Sequence, residues 1–258
     1  MKMNIDLTNK VALVTGASRG IGRATAIRFA QSGADVIVNY VTSRDAAETA
    51  ANEIIQLGRR AWIIKADVSE KEDVEMMFEF ICNEIGHLNI LVSNAATGGF
   101  RPLLTASNKN FDAAFHTNVL ALMYLVQSAM PLLEKGTTRG KVITISSHGA
   151  IAGLPMYGLV GASKAALESL VRHFTLEIGD RGVNINVVRA GLVATDSSRR
   201  LPNADKLFND QINFTQVGER ILLPEDVANT ILFLASPLSD MIQGETITID
   251  GGAAIRGA

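Results

Sequence analysis

Short runs of consecutive apolar residues alternate with longer stretches in which apolar positions recur every three or four residues. The runs are VALVT (11–15), DVIVN (35–39), AWIIK (61–65), NILVS (89–93), KVITIS (141–146), VNINVV (183–188) and TITID (246–250). Most are continuous rather than alternating, as strands covered on both faces read. The stretches between them have helical spacing. In AAETAANEIIQLG, Ala47, Ala50, Ile54 and Leu57 fall on one stripe, and Gly58 follows as a C-terminal cap. Strand–helix alternation with short connections predicts an α/β fold in a single domain spanning 1–258. Its core is a doubly wound, seven-stranded parallel sheet in the order 3-2-1-4-5-6-7. One stretch between the sixth and seventh strands, 189–226, is long, polar and mixed, and takes no simple assignment. Segments of that length inside a compact domain are usually lids or binding loops, with a surface insertion as the alternative.

The chain of 258 residues is 47% hydrophobic and 19% charged, with a formal net charge of -2, so it carries no bias towards nucleic acid or an anionic membrane. Cys82 is the single cysteine, which excludes an internal disulfide and favours a reducing compartment. The first ten residues, MKMNIDLTNK, lack the apolar core of a signal peptide, and the longest apolar run, VLALMYLV (119–126), is too short to span a bilayer. These features together read as a soluble, cytoplasmic protein without membrane or nucleic-acid partners.

Residues 15–22 read TGASRGIG: Gly16, Gly20 and Gly22 follow the first strand and open the first helix. Residues without a Cβ let the backbone approach a pyrophosphate, and the helix N-terminus adds free N–H groups. In this context the triplet predicts dinucleotide binding on a Rossmann fold. The spacing TGxxxGxG resembles the short-chain dehydrogenase/reductase family, and the resemblance runs through nearly the whole chain: NAA (94–96), HTNV (116–119), ISS (145–147), SKAALESL (163–170) and IDGG (249–252). Two motifs depart from the family pattern. Thr97 replaces the glycine of NAG, and RAG (189–191) replaces asparagine-proline-glycine. The resemblance implies a nicotinamide cofactor held by Gly16, Ser18, Arg19, Gly20, Ile21, Gly22, Asn39, Tyr40, Ser43, Arg44, Asp67, Val68, Asn94, Ala95, Lys164, Val193 and Thr195. The second strand ends in Asn39 and Tyr40 without the carboxylate that holds a ribose 2′-hydroxyl. Arg19 in the glycine loop and Thr42, Ser43 and Arg44 after the strand favour a 2′-phosphate, hence NADP(H). The alternative is that both arginines are merely solvated.

The catalytic residues implied by the resemblance are Tyr157, Lys164, Asn118 and Ser147. Lys164 holds the nicotinamide ribose and lowers the tyrosine pKa, and Asn118 breaks its helix locally and anchors a proton-relay water. The tyrosine is displaced. The family's usual separation leaves three residues between tyrosine and lysine, and that place is taken by Val160; Tyr157 leaves six. Seven positions on a helix make nearly two turns, so Tyr157 lies on the same face roughly 10 Å further out. Pro155 and Gly158 place it at or just before the helix start. The six-residue spacing, together with SNAATGGFRPLL (93–104), ISSHGAIAGLPMYGLVGASKAALESL (145–170) and ETITIDGG (245–252), resembles the type III bacterial enoyl-acyl-carrier-protein reductase. That resemblance implies NADPH-dependent reduction of the C2=C3 double bond of an enoyl thioester. Two other readings stand beside it: a carbonyl reductase of 3-oxoacyl thioesters, and a cofactor-binding relative without catalysis. Ser147 either contacts substrate or water or, with Ser146, satisfies backbone at the strand end. His148 reads as local structure.

Segment 192–216 is expected to be a substrate lid. Its basic pair Arg199–Arg200 either meets an acidic acyl-carrier-protein or the substrate's phosphopantetheine, or is simply solvated. The helical stretches 105–134 and 156–179 carry many small and apolar residues, and in the resembled family they form the interface of a homotetramer.

Overall fold

A computed structural model describes residues 5–201 and 203–256. Seven parallel strands form one sheet in the order β3-β2-β1-β4-β5-β6-β7, as the strand–helix alternation predicts. They are β1 (Val11–Val14), β2 (Asp35–Tyr40), β3 (Ala61–Lys65), β4 (Ile90–Ser93), β5 (Gly140–Ser147), β6 (Val183–Ala190) and β7 (Thr246–Ile249). Eight α-helices cross between or follow them: α1 (Gly20–Gln31), α2 (Arg44–Gln56), α3 (Lys71–Phe80), α4 (Asn108–Phe115), α5 (Ala121–Leu133), α6 (Gly158–Ile178), α7 (Ala204–Phe214) and α8 (Pro224–Leu234).

The continuous apolar runs are explained by coverage on both faces. In β1, Ala12 and Val14 join the core under α1, α2 and α8, whereas Val11 and Leu13 join the core under α3, α5 and α6. Side chains alternate across a strand, so a strand with helices on both sides needs apolar residues at every position. Among the described residues no helix is long and apolar enough to cross a membrane.

Local details refine these expectations, and one is corrected. The α2 stripe ends at Ile54: Leu57 lies beyond the helix and is exposed, while Gly58 takes the left-handed conformation of a cap with φ +78°. Within the helical stretch 105–134 the local break expected at Asn118 is present. A π-helical turn, His116–Leu120, separates α4 from α5 and has Asn118 at its middle. The unassigned stretch 189–226 contains the end of β6, all of α7 and the first turn of α8.

The strand order reverses at β1, which lies between β2 and β4. In an open α/β sheet the crevice beyond the carboxyl ends of the strands at such a point receives the ligand. The glycine loop, Asn94, Ser147 and the start of α6 all lie at that end.

Candidate active site

The glycine loop is built for close approach. Gly16 and Gly20 have φ of +61° and +56°, which a side chain makes costly. A Cβ on Gly22 would come within 2.5 Å of both the Gly16 carbonyl oxygen and Asn94 Nδ2. Arg19 occupies the N-cap of α1 and its side chain makes no capping hydrogen bond, so the first N–H groups of the helix remain open to a ligand. The loop is braced from two sides. Asn39 Oδ1 accepts from Gly16 N at 3.2 Å, and its amide donates to the Ile64 and Ala66 carbonyls. Thr15 Oγ1 accepts from the backbone N–H groups of Asn94 and Ala95 at 2.9 and 3.0 Å. Asn94 Nδ2 donates to the Thr15 carbonyl at 2.8 Å. These residues fit a dinucleotide pyrophosphate: the cradle is pre-formed, and the first N–H groups of α1 are not capped by a side chain.

The expected cofactor residues divide by what they touch. Ser18, Arg19, Gly20 and Ile21 form the loop and the first turn of α1, and the Thr195 methyl lies 3.4 Å from where a Gly20 Cβ would be. Val193 bridges to Leu222, so the start of the expected lid is tied to the segment that enters α8. Asn39 is buried and its side chain serves the loop, and Tyr40 is buried in the core beneath α1 and α2. Their side chains are therefore buried behind the loop. Asp67 Oδ1 accepts from Ser69 N and Oγ, and Val68 is buried. Arg44 is exposed and pairs with Glu48 at 2.8 Å, while Ser43 precedes α2 without a capping bond. Arg19 is exposed and its guanidinium has no ion pair or side-chain hydrogen bond among the described residues. It is thus the more available of the two cations for a 2′-phosphate.

At the other side of the crevice the sequence anticipates the tyrosine's place on the helix. Tyr157 is the N-cap of α6, immediately before its first residue. The turn that delivers it contains Met156 at φ +61°, a left-handed backbone unusual for a side-chain-bearing residue. Two hydrogen bonds hold this turn, Arg101 N to the Met156 carbonyl and Tyr157 N to the Leu154 carbonyl. The ring is held by two neighbours. Phe100 stacks on it with centroids 5.8 Å apart and planes 20° from parallel. Gly149 also lies so close that a Cβ there would be 2.5 Å from Tyr157 Cδ1. The clamp aims the hydroxyl at Ser147, whose Oγ donates to it at 3.1 Å. Ser147 therefore serves the tyrosine rather than the backbone. Ser146 does not satisfy backbone either: its Oγ donates to Glu168 at 2.6 Å.

Val160, where the family's usual tyrosine would stand, is buried. A Cβ on Gly98 would come within 2.2 Å of Val160 Cγ2. The backbone of the loop after β4 thus fills the space that a tyrosine at 160 would need.

Lys164 is buried one turn further along α6, and its Nζ donates to the Ile145 carbonyl at 2.7 Å. Burial lowers its pKa to about 8. Burial also raises the Tyr157 pKa, and the Ser147 hydrogen bond acts in the opposite sense. Near neutral pH the phenol is therefore a proton donor and the amine is largely an ammonium. Asn118 is buried; its Oδ1 accepts from Thr97 N at 3.0 Å, and its Nδ2 donates to the Thr97 carbonyl and to Ser163 Oγ at 2.9 and 2.8 Å. These bonds join the π-helical turn to the residue preceding Lys164. His148 Nε2 lies 3.0 Å from an Asp250 carboxylate oxygen without the alignment of a hydrogen bond.

The expected lid contains α7, whose Phe208 and Gln211 are buried, and its end is tied to the chain after β7 by Gln216 N and Thr215 Oγ1 donating to the Gly251 carbonyl. Arg199 lies over the Phe208 ring at 5.7 Å. Pro202 and the Arg200 side chain lie outside the described residues.

Comparison with known proteins decides the family. The profile of a family described as enoyl-(acyl carrier protein) reductase matches residues 16–254. This chain belongs to the short-chain dehydrogenase/reductase family. Among curated short-chain relatives it is 34% identical to a hydroxynaphthalene reductase-like protein of Metarhizium robertsii, over 96% of each chain. It is 35% identical to a versicolorin reductase of Emericella nidulans, over 97% of each. It is 32% identical to a 1-cyclohexenylcarbonyl-CoA reductase of Streptomyces collinus, over 95% of this chain and 87% of that one. Among solved structures it is similar to a 7α-hydroxysteroid dehydrogenase complexed with NADH and 7-oxo glycochenodeoxycholic acid, with TM-score 0.90, 32% identity and 96% of each chain covered. It is likewise similar to a short-chain dehydrogenase of Burkholderia cenocepacia in complex with NADP, with TM-score 0.87, 33% identity and 96% and 99% covered. The chain is accordingly an oxidoreductase that uses a nicotinamide cofactor.

Four contributors to the site are absent from the sequence expectations: Gly98, Gly149, Phe100 and the left-handed Met156. Gly98 is required by Val160, far along the chain, and Gly149 by the ring of Tyr157, eight residues on, across an intervening turn.

Proposed function

We propose that this enzyme uses NADPH to reduce the C2=C3 double bond of an enoyl thioester, carried on acyl-carrier-protein or a close analogue, in fatty-acid or polyketide-type metabolism. The observation that carries the reading is the position of the phenol. Tyr157 reaches Ser147 from seven residues before Lys164, while Val160 and Gly98 close the usual tyrosine position. The bound cofactor supplies a hydride. In carbonyl reduction the carbon that accepts the hydride bears the oxygen that needs a proton. In enoyl reduction the hydride goes to Cβ, and negative charge gathers on the thioester oxygen, two carbons away. A donor set back along the helix suits the second geometry. Tyr157 hydrogen-bonds the developing enolate oxygen, Ser147 holds the phenol, and the buried Lys164 fixes the ribose and keeps the local field positive. Asn118 anchors a water that relays a proton to Lys164. Arg19 supports the choice of NADP(H), through a charge-assisted contact to the 2′-phosphate.

The same reading includes a cytoplasmic homotetramer that packs through α4, α5 and α6, whose outward faces leave Phe111 and Leu176 exposed. It also includes closure of segment 192–216 over bound ligands. A carbonyl reductase is the second reading, favoured by the Ser147–Tyr157 hydroxyl pair and by the 7-oxo ligand of the similar hydroxysteroid dehydrogenase structure. NADPH oxidation with crotonyl and acetoacetyl thioesters, assayed side by side, separates the two. The enoyl reading expects turnover of the crotonyl thioester well above that of the acetoacetyl one; the reverse order removes it.

A further inference from the structure

Three consecutive residues at the end of β5 each receive one group from the α6 region. The Ile145 carbonyl accepts from Lys164 Nζ at 2.7 Å, Ser146 Oγ donates to Glu168 Oε1 at 2.6 Å, and Ser147 Oγ donates to the Tyr157 hydroxyl at 3.1 Å. The first and third of these rungs belong to the reacting groups. The middle one does not, yet it is the most heavily built. Glu168 is buried, and its two carboxylate oxygens accept from Arg189 Nε at 2.9 Å and a terminal nitrogen of the same guanidinium at 2.5 Å. Side-chain exposure is 7% for Glu168 and 14% for Arg189, so the pair lies largely out of water. Ser146, Arg189 and Thr248 are register partners across β5, β6 and β7, and Arg189 also donates to Thr248 Oγ1 at 3.4 Å. The arginine of the RAG motif, which departs from the family pattern, thus turns to α6 and not to the nicotinamide end of the site.

We propose that the Glu168–Arg189 ion pair is a positioning device: it fixes the middle rung between β5 and α6 and balances the charge beside Lys164, so that Ser147, Tyr157 and Lys164 stay in register. Glu168 is four residues after Lys164, one helical turn or about 6 Å along the same face. A bidentate guanidinium–carboxylate contact is directional, so it sets the separation of helix and strand as well as holding them together. The pair also has to stay neutral overall. A carboxylate or guanidinium left alone at this depth would act on the ammonium of Lys164 through weakly screened space. Tyr157, before α6, and the His148–Asp250 pair beyond β5 and β7 are titratable groups at the same end of these strands.

The inference rests on Lys164 being the working lysine of the proposed reductase, and its test does not require turnover. Protein labelled with ¹³C at the lysine ε-carbons is titrated by NMR, and the Lys164 signal is assigned by its loss in Lys164→Met. The wild-type midpoint is expected at about 8. Glu168→Gln, which strands the guanidinium, lowers it; Arg189→Met, which strands the carboxylate, raises it. Each shift is about half a pH unit or more. The double variant restores balance, and its midpoint returns to the wild-type value. On whichever thioester the wild type reduces, both single variants lose about tenfold or more in kcat with a smaller change in KM. A merely structural clamp would lower Tm in all three variants without opposite shifts of the lysine. Midpoints that coincide in all the proteins, or that move the same way in both single variants, overturn the proposal. Should Arg189→Met fail to fold, Glu168→Gln against the double variant decides it: a lowered midpoint restored by the second substitution supports the balance, and equal midpoints refute it. If the wild type reduces no enoyl thioester, the proposed function falls while the lysine titration still answers this question.

Discussion

The two sides of the crevice are held in different ways. On the cofactor side, the glycine loop is shaped by its own backbone, with φ of +61° at Gly16 and +56° at Gly20, and is braced by Asn39, Thr15 and Asn94 at the ends of neighbouring strands. On the catalytic side, no single segment defines the geometry. Tyr157 is clamped by Phe100 after β4 and Gly149 after β5, and is presented by a strained turn at Met156. A generic cofactor needs a generic cradle. The placement of one hydroxyl, on which the proposed substrate choice rests, is instead distributed over three segments that meet only in the folded chain.

The largest expected effect that separates the two sides is at Lys164. Lys164→Met is expected to lower turnover by a factor of about 10²–10⁴ and also to weaken cofactor binding. The same change is expected to stabilise the folded protein. The lysine pKa is depressed from 10.5 to about 8 by burial, so between those values the unfolded chain holds a proton that the folded chain has released. Stability from this group therefore rises as pH increases from about 8 to 10.5, and below about 8 its whole cost is present. Removing it should add about 1–3 kcal/mol at neutral pH. Denaturant titrations of both proteins at neutral and alkaline pH check this; a methionine variant less stable than wild type at pH 7 contradicts it.

Next is Val160→Tyr, which restores the common tyrosine position. Its ring has to displace the loop at Gly98, so it is expected to destabilise by about 1–3 kcal/mol and not to rescue enoyl reduction in Tyr157→Phe. Recovery of activity in that double variant would show that the tyrosine's place is interchangeable.

On the cofactor side, Arg19→Ala is expected to weaken NADPH binding by about 1.5–3 kcal/mol, or roughly ten- to a hundred-fold, and to leave NADH binding nearly unchanged. Equal losses for both cofactors in a fluorescence titration would assign Arg19 a role other than the 2′-phosphate.

The smallest effect concerns the turn. Met156→Gly relieves a left-handed backbone strain of about 1–2 kcal/mol, partly offset by the freedom glycine gives the unfolded chain. A slight gain in Tm with lowered kcat is expected, because the turn that aims Tyr157 is loosened. Unchanged kcat would mean that Phe100 and Gly149 suffice to hold the ring.

The difference between the two sides also governs what could be read from the sequence. Strand order, the glycine loop and the place of Tyr157 at the start of α6 follow from local patterns: apolar runs, positive-φ glycines, and a proline and glycine around a helix start. The interruption at Asn118 was legible through family likeness. The segment 189–226 was not, because α7 is a short helix set between irregular stretches, and its apolar stripe, with Leu207 and Phe208, is diluted by the polar residues around it. Leu57 was misplaced because a periodic pattern does not register where the cap ends the helix. Gly98, Gly149 and the Glu168–Arg189 pair were hidden for a different reason: each acquires meaning from a residue brought close by the fold.

The central claim is that Tyr157, from its displaced position, is the hydroxyl that serves an enoyl thioester. The most direct measurement is steady-state reduction of a crotonyl thioester by wild type and Tyr157→Phe, with NADPH affinity measured separately by fluorescence. The account predicts a fall in turnover of about 10²–10³ at nearly unchanged NADPH affinity, because the phenol meets the substrate and not the cofactor. Near-full turnover in Tyr157→Phe would contradict it and would hand the role to Ser147 or to water.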